Sequence, residues 1–599
     1  MEDIPEQQHL LPAAVDYRAK HLPNKLYAAL PRGDRLEDGF FDLTYAAFAR
    51  AIDATAWWLD SVLGARPLET KFENLMTVPY VGPEDFRYVL FIYAAMKTGR
   101  KMMLPFAANT PEGLVSLLEL SSSEVVLATA CHKHLWTEPL KQRPEIRLIE
   151  VPDIDEFVHD RRLQPYKYER TLDEGIDDTH LVLQTSVPTI HPKTDEATGT
   201  TGQPRPIPVK NRFIKHYLQD DEAQSRQASP SQRVAAYVLL TDAYCPALLP
   251  LSWAAGISMT VWHPLWTNQV PIMLPVKSVP RPLTADYVKA IAKYGPRGQR
   301  NGVFLVPDVL RGLARDNEGR ECLKLYDWVA FGGSPLDFET GDAITAMGVR
   351  VQSFIGSTDT GLYNILLNDP QDWNMHRFLE NDHGFYLSHY HDDLYELAVK
   401  RQPDDPRPPF LIDPTADVFH TRDLWRAAPG REGFWMNAGR VDDFVKLSSL
   451  TKFNAIAIEQ EIEANAIVAK CVIAGDSRKK PFILVEPSAE ARPHDSTPAA
   501  GVIGRIWPAI EAANKHLLAE ARLTKELTVL TQPGQPIVRT AKGTVSRRTT
   551  LLMYEAAIEE AYAAAGYEPV LFNVLGEPIA KPDEHTNGHA KGHPNGHAQ

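Results

Sequence analysis

Cysteine is scarce. Only Cys131, Cys245, Cys322 and Cys471 occur among 599 residues, far apart and without a CxxC pair. Neither a zinc site nor a disulfide framework is therefore indicated, and the usage fits a reducing compartment. A basic surplus is missing as well. Lys plus Arg number 63 against 77 Asp plus Glu, a net charge of −14. Without a basic face, neither nucleic acid nor an anionic membrane is an expected partner. Long apolar runs are also wanting. The most apolar window, residues 237–262, contains Asp242, Pro246 and Pro250 and reads as buried core rather than a membrane span. The opening residues carry no basic segment leading into an apolar stretch, so no secretory signal is expected and the cytoplasm is the expected location. What the chain does have is 44% hydrophobic and 23% charged residues. That balance excludes wholesale disorder and places the chain among globular proteins.

Short apolar runs alternate with helix-like segments between about residues 70 and 350. EVVLATA, HLVLQTS, VPIMLP, GVFLVP and DWVAFGG read as buried strands, and DFRYVLFIYAAMKTG, TADYVKAIAKYG and TGDAITAMG as helices ending at glycine. Alternation of this kind predicts an α/β fold with parallel sheets covered by helices. An N-terminal arm, residues 1–20, precedes a large domain over 21–440. The polar stretch 219–232, QDDEAQSRQASPSQ, reads as an exposed connection. A second pattern starts near residue 440. AIAIEQEIEANA reads as a helix, KCVIAG and PFILVEP as strands, and VIGRIWPAIEAANKHL and TTLLMYEAAIEEAYAAAG as helical. In the last of these Leu551, Tyr554, Ile558, Ala561 and Tyr562 share one stripe. This small α+β domain, 441–570, is large enough to fold alone. The remainder, 571–599, is rich in Gly and His and reads as a disordered tail.

Chemistry is concentrated at strand ends. ATGTTGQPR follows the strand HLVLQTS, and its glycines and threonines can present backbone and hydroxyl donors to phosphate. It is not a GxxxxGK[ST] loop, because no lysine follows Gly202. FGGSPL and SFIGSTDTGLYN each follow an apolar strand and turn through glycine into hydroxyl residues. Ligand sites of open α/β sheets lie at such ends. HTRDLW (420–425), GRVDDFVKLSS (439–449) and RTAKGTVSRR (539–548) complete the set.

In this order and spacing the motifs resemble the acyl- and aryl-adenylate-forming superfamily, which includes acyl-CoA synthetases and peptide-synthetase adenylation domains. The nearest flavour is that of fungal peptide-synthetase-like enzymes, and the resemblance spans roughly residues 20–570. It implies a large AMP-binding domain with a small C-terminal lid, and an ATP-dependent ligase. Such an enzyme turns a carboxylic acid (aryl, keto or fatty) into an acyl-adenylate, releases pyrophosphate, and passes the acyl group to a thiol. It implies ATP and Mg²⁺ as cofactors. The β- and γ-phosphates would be held by Thr198, Thr200, Thr201 and Gly202, and the adenine by Gly332, Gly333 and Ser334. Gly356 and Ser357 would border the nucleotide, Thr358 would touch the α-phosphate, and Asp359 would hold Mg²⁺. Asp423 would accept the ribose hydroxyls with Arg440 nearby. Asp442 would be the hinge, and Lys542 the catalytic lysine. Trp253 and Gly256 would line the acid pocket, whose neighbourhood offers no carboxylate for an α-amino group.

The chain departs from that family's pattern in six places, one of them the last motif, where the common pattern puts lysine directly after glycine but Lys542 is followed by Gly543 and Thr544. Residues 187–197 are inserted before the Gly-Thr-Thr-Gly loop. Arg205 stands for a lysine, Asp359 for a glutamate, Ile355 for an adenine-stacking aromatic, and Arg422 for a glycine. No phosphopantetheine serine motif follows residue 570, so the acceptor is expected to be CoA or a carrier on a separate protein. The departures leave a second reading open: an adenylation fold without catalysis, serving as a binding or scaffold partner in a biosynthetic pathway.

Overall fold

The computed structural model describes residues 4–65, 75–159, 164–184, 204–280, 283–332, 336–379, 383–441, 444–449, 451–492, 494, 497–539 and 545–567. The chain divides into two compact units, residues 1–438 and 439–599.

The larger unit begins with a helix, Leu11–His21, followed by strands β1 (Leu26–Pro31) and β2 (Phe40–Thr44). A six-stranded sheet is then built from β3 (Thr77–Val81), β4 (Lys101–Met103), β5 (Val125–Thr129), β6 (Arg147–Val151), β7 (Thr179–Gln184) and β8 (Pro206–Lys210), in the order β6-β5-β3-β4-β7-β8. It is parallel except for the β7–β8 pair. The chain returns through β9 (Ala243–Pro246), β10 (Val270–Ile272), β11 (Arg300–Leu305), β12 (Trp328–Phe331) and β13 (Arg350–Ser353), which join β1 and β2 as β13-β12-β11-β9-β10-β1-β2. Only β1–β2 is antiparallel there. The strands read from the sequence as continuous apolar runs are thus the parallel, two-face-covered strands.

Two helices show how the layers close. Tyr45–Leu63 starts at Thr44, whose hydroxyl accepts the Ala47 N–H, and stops at Gly64 with φ +83°. Arg87–Lys97 is buried at every position, as an all-round apolar helix must be. Its one buried ammonium, Lys97 Nζ, is paired with Asp16 at 2.8 Å and Asp53 at 2.7 Å.

The polar stretch 219–232 is a correction. It is not simply an exposed connection, because a helix covers Asp221–Gln227 and buries Asp221, Glu222 and Ser225. Each has found a partner. Asp221 accepts from Asn364 Nδ2 at 2.8 Å and bonds His383 Nε2 at 2.6 Å. Glu222 pairs with Arg226 at 2.7 Å, and Ser225 Oγ accepts the Val234 N–H at 2.9 Å. Gln224, Arg226 and Gln227 on the outer side of that helix and the 229–232 end are exposed.

A hairpin, β14 (Gly356–Ser357) and β15 (Gly361–Leu362), leads to an antiparallel sheet of β16 (Phe385–His391), β17 (Leu394–Lys400), β18 (Val418–Ala427) and β19 (Trp435–Arg440). The smaller unit pairs β20 (Phe444–Lys446) with β21 (Lys452–Asn454) and builds a sheet of β22 (Val468–Ala474), β23 (Phe482–Pro487) and β24 (Thr528–Leu530). Helices Ala455–Glu463 and Ala499–Ala513 share one core with that sheet. The stripe Leu551, Tyr554, Ile558 and Tyr562 lies in the other. The helix carrying the stripe is broken at Tyr554, between Arg547–Met553 and Glu555–Ala564. The Tyr554 hydroxyl is held by the Gln535 carbonyl and the Gln532 N–H. Among the described residues no helix is long and apolar enough to cross a membrane.

Candidate nucleotide-binding site

The C-terminal ends of β12 and β13 lie side by side, since Phe331 pairs with Ser353 and Phe354 N–H donates to the Phe331 carbonyl at 2.8 Å. Gly332 follows Phe331, and only glycine fits there. A Cβ would fall 2.5 Å from the Phe354 carbonyl oxygen and 2.8 Å from Phe304 Cζ. Beyond Phe354 the chain folds into the β14–β15 hairpin. It is tight because a Cβ at Gly356 would lie 2.3 Å from the Gly361 carbonyl oxygen, and Gly361 has φ +79°. Ser357 Oγ and Thr360 Oγ1 share a hydrogen bond of 2.8 Å across the turn, and the Thr360 N–H donates to Ser357 Oγ at 3.1 Å. Thr358 and Asp359 sit in this braced turn, half-buried.

Tyr363, just past β15, is 2% exposed and donates its hydroxyl to Asp423 Oδ2 at 2.7 Å. Burial, and next the Asp423 carboxylate, raise the Tyr363 phenol well above its ordinary value. The phenol is therefore a neutral donor at physiological pH. The bond brings a turn with Thr358 and Asp359 to the same place as Asp423, 60 residues further along.

Asp423 owes its position to a β-bulge. Ala398 pairs with His420, but Glu396 pairs with Leu424, so four steps along β18 face two along β17. The surplus residues carry the distortion. Arg422 takes φ +65°, a left-handed conformation that costs about 1–2 kcal/mol for a residue with a Cβ. That is the position where the resembling family has glycine. Glu396, largely buried, holds the bulge from β17. Its Oε1 accepts the Arg422 N–H at 3.0 Å, and its Oε2 bonds His420 Nδ1 at 2.9 Å. Thr421 Oγ1 donates to the Leu397 carbonyl at 2.7 Å and accepts the Asp423 N–H at 3.1 Å.

A buried carboxylate reached through a neutral donor, beside a glycine- and hydroxyl-rich turn, fits a nucleotide's ribose and phosphates in donor and acceptor type. Among the described residues no cluster of three or more His, Cys, Asp or Glu could enclose a metal by itself. A single carboxylate such as Asp359 matches the usual habit of Mg²⁺, which takes one or two carboxylates and completes its shell with substrate phosphates and water.

A second group of residues gathers at the end of β7. Gln184, its last residue, accepts from Phe106 N–H at 3.1 Å and from Asn109 Nδ2 at 2.9 Å. The Phe106 ring lies edge-on to Trp253 at 6.4 Å. Trp253 opens the short helix Ala254–Ile257. Within it Gly256 is obligatory, because a Cβ would fall 2.0 Å from the Pro250 carbonyl oxygen. Residues 258–262 then form a π-helix, a distortion that recurs at functional sites.

Of the residues read from the sequence, Gly332, Gly356, Ser357, Thr358, Asp359 and Asp423 form one contiguous stretch of structure. Trp253 and Gly256 form another. Arg440 ends β19 and is exposed. Thr198, Thr200, Thr201, Gly202, Gly333, Ser334, Asp442 and Lys542 lie outside the described residues, as does the insertion 187–197. The flanks of Lys542 are firmly held: Arg539 bridges to Val545, and Arg547 donates to both Glu459 oxygens at 2.6 Å. Sequence reasoning missed Phe106, Tyr363 and Glu396. Ile355, lacking the expected aromatic ring, packs against the cluster of Tyr363, Leu397 and Trp425. The aromatic ring that closes on Gly332 is that of Phe304, whereas Phe354, one position before Ile355, approaches it with its backbone carbonyl.

Residues 18–378 match the AMP-binding enzyme family, and residues 442–566 match the AMP-binding enzyme C-terminal domain. A carboxylic acid reductase of Neurospora crassa is 28% identical over 94% of this chain, which covers 51% of that protein. An adenylate-forming reductase of Serpula lacrymans is 24% identical over 92% of the chain and 49% of its own length. The chain thus spans about half the length of these relatives. Among solved structures, the A domain of the carboxylic acid reductase from Segniliparus rugosus, in complex with AMP and a co-purified carboxylic acid, superposes with a TM-score of 0.69. That match covers 94% of this chain and 95% of that one at 14% identity. An anthranilate CoA ligase in complex with anthranoyl-AMP gives 0.64 over 92% and 98%, at 15% identity. At such identities the solved structures speak for the fold, and the family match carries the assignment. The chain belongs to the AMP-binding enzyme family, and its fold is that of the adenylate-forming enzymes.

Proposed function

We propose that this chain activates a carboxylic acid with ATP, forming an acyl-adenylate and pyrophosphate, and then delivers the acyl group to a thiol. The observation that carries the reading is the hydrogen bond from Tyr363 to Asp423, which joins the Thr358–Asp359 turn to the bulge. The neighbouring names point the same way: a carboxylic acid reductase, an adenylate-forming reductase, and a domain holding AMP with an acid.

In the first step an acid oxygen bonds to the α-phosphorus and the bond to the bridging oxygen of pyrophosphate breaks. Two anions must approach, so charge on the phosphoryl oxygens has to be offset. The Thr358 hydroxyl donates to an α-phosphate oxygen. Asp423 accepts from the ribose hydroxyls and fixes the sugar. Gly332, with Gly333 and Ser334, leaves room for the flat adenine, and Arg440 faces the ribose. Thr198, Thr200, Thr201 and Gly202 donate to the β- and γ-phosphates. Mg²⁺, held through Asp359, would supply positive charge to the phosphate oxygens. Lys542 supplies the same from the smaller unit, for which Asp442 is the hinge. Trp253, Phe106 and Gly256 shape the acid pocket. In the second step a thiolate bonds to the acyl carbon and AMP leaves. The thiol belongs to CoA or to a phosphopantetheine carrier.

The test is acid-dependent exchange of labelled pyrophosphate into ATP, run with aromatic, keto and fatty acids and Mg²⁺. Exchange with at least one acid, lost in Lys542→Ala, is the expected result. A folded protein that binds ATP yet exchanges with no acid would turn the assignment to the non-catalytic binding role.

A further inference from the structure

We propose that Tyr363 is a positioning residue for ribose recognition, coupling the phosphate-side turn to the bulge that carries Asp423. The inference rests on the reading of Asp423 as the ribose acceptor and deepens it.

Tyr363 is placed for this by three sets of contacts. Its backbone N–H donates to the Ile355 carbonyl at 2.8 Å, which fixes it to the strand leading into the turn. Its ring meets Phe385 edge-on at 5.3 Å and packs with Ile365, Leu397 and Trp425. Its hydroxyl emerges from that apolar cluster beside the Thr360 and Thr421 hydroxyls and ends on Asp423 Oδ2. Two hydroxyl links, Ser357 with Thr360 and Tyr363 with Asp423, therefore lie next to one another, with Thr358 and Asp359 inside the first.

The bulge needs such a support. A carboxylate on a segment that includes a left-handed arginine has few conformations in which it can be held still. From β17, Glu396 and the Leu397 carbonyl hold the His420 ring, the Thr421 hydroxyl and the Arg422 N–H. Tyr363 reaches the Asp423 carboxylate itself, and its donation to Oδ2 directs how the remaining lone pairs can meet a vicinal diol. The Thr360 hydroxyl lies beside the same phenol oxygen, whose single proton goes to Asp423, so the sugar side and the phosphate-side turn are braced from one side chain. Tyr363 touches neither reacting atom. It acts through Asp423.

The experiment compares affinities of the full chain for ATP and for 2′,3′-dideoxy-ATP by calorimetry, which needs no knowledge of the acid. Wild type is expected to prefer ATP by on the order of 100-fold, the value of two hydrogen bonds to a charged acceptor. Tyr363→Phe removes one oxygen and keeps the ring packing. It is expected to reduce the preference to about ten-fold, mostly through weaker ATP binding, with the melting temperature of the nucleotide-free protein little changed. A purely structural role for Tyr363 would instead lower the melting temperature and weaken both nucleotides equally, and that result overturns the inference. So does an undiminished preference in the variant. If wild type itself shows no preference, the ribose reading of Asp423 fails first and this inference with it. Should Tyr363→Phe not fold, Thr360→Val removes the neighbouring hydroxyl and is expected to lower the same ratio several-fold. An unchanged ratio there is equally decisive against the coupling.

Discussion

Acid should weaken the larger unit in a calculable way. His180, His263 and His376 are all buried there. Burial alone lowers His180 to about 3 and His263 to about 4, and burial likewise takes His376 to about 4 against one backbone hydrogen bond. In the unfolded chain each titrates near its ordinary 6.5. A base whose folded value is depressed binds its proton first in the unfolded state, so stability rises with pH between the two values. Each histidine then contributes about 1.4 kcal/mol per pH unit below 6.5, and three lose together about 4 kcal/mol between pH 7.5 and 5.5. His9, His132 and His216 are lowered by burial too and act in the same direction. The smaller unit has the opposite arrangement. Burial lifts Glu459 to about 7 against the Arg547 charge, and burial also raises Asp476. Stability from a raised carboxyl is lost as pH rises, so acidification over this interval does not weaken that unit through these groups. Urea unfolding followed by tryptophan fluorescence at pH 7.5, 6.5 and 5.5 reads the effect. The transition of the larger unit should move to lower urea and that of the smaller unit should hold. His180→Phe should remove about 1.4 kcal/mol per pH unit from the slope. A midpoint for the larger unit that is flat or rises on acidification would refute the reasoning.

Arg422→Gly relieves the left-handed strain at φ +65°. After the extra unfolded-state entropy of glycine, about 0.5–1 kcal/mol of added stability remains, measurable by denaturant titration. Gly256→Ala drives a Cβ to within 2.0 Å of the Pro250 carbonyl oxygen, so a backbone shift costing about 1–3 kcal/mol should accompany loss of acid-dependent exchange with ATP binding retained. Lys542→Ala should lower kcat for adenylation by about 10²–10³ while leaving the dissociation constant of ATP within a factor of a few, as pre-steady-state pyrophosphate release and calorimetry can check. Removing Mg²⁺ with EDTA should abolish exchange, and Asp359→Ala should raise the Mg²⁺ concentration needed for half-maximal rate.

What was legible in the sequence was local. Strands such as Val125–Thr129 and Trp328–Phe331 are continuous apolar runs because both faces are covered, and that requirement is written residue by residue. Glycine positions such as Gly332 and Gly356 were legible because a backbone approaches where a Cβ cannot go. What escaped was set by partners far along the chain. Asp221 looked exposed until Asn364 and His383, more than a hundred residues away, provided its hydrogen bonds. Tyr363 in GLYN is one more aromatic residue until a bulge 60 residues later turns Asp423 towards it. Tyr554 continues an apolar stripe, yet its hydroxyl commits to Gln532 and Gln535, and the helix is interrupted at this residue. A polar side chain's destination has no period, so periodicity cannot report it.

The ammonium of Lys97 has a bearing on how the chain can be shortened. One of its two carboxylates, Asp16, comes from the opening helix Leu11–His21, and the other, Asp53, from Tyr45–Leu63. Trimming the first 21 residues as a dispensable leader would leave a charge deep in the interior with half its counter-charge gone and its lid removed. Such a truncation should come out of expression as aggregate, and a protease that nicks near residue 22 should find the severed helix still docked until denaturant lifts it away.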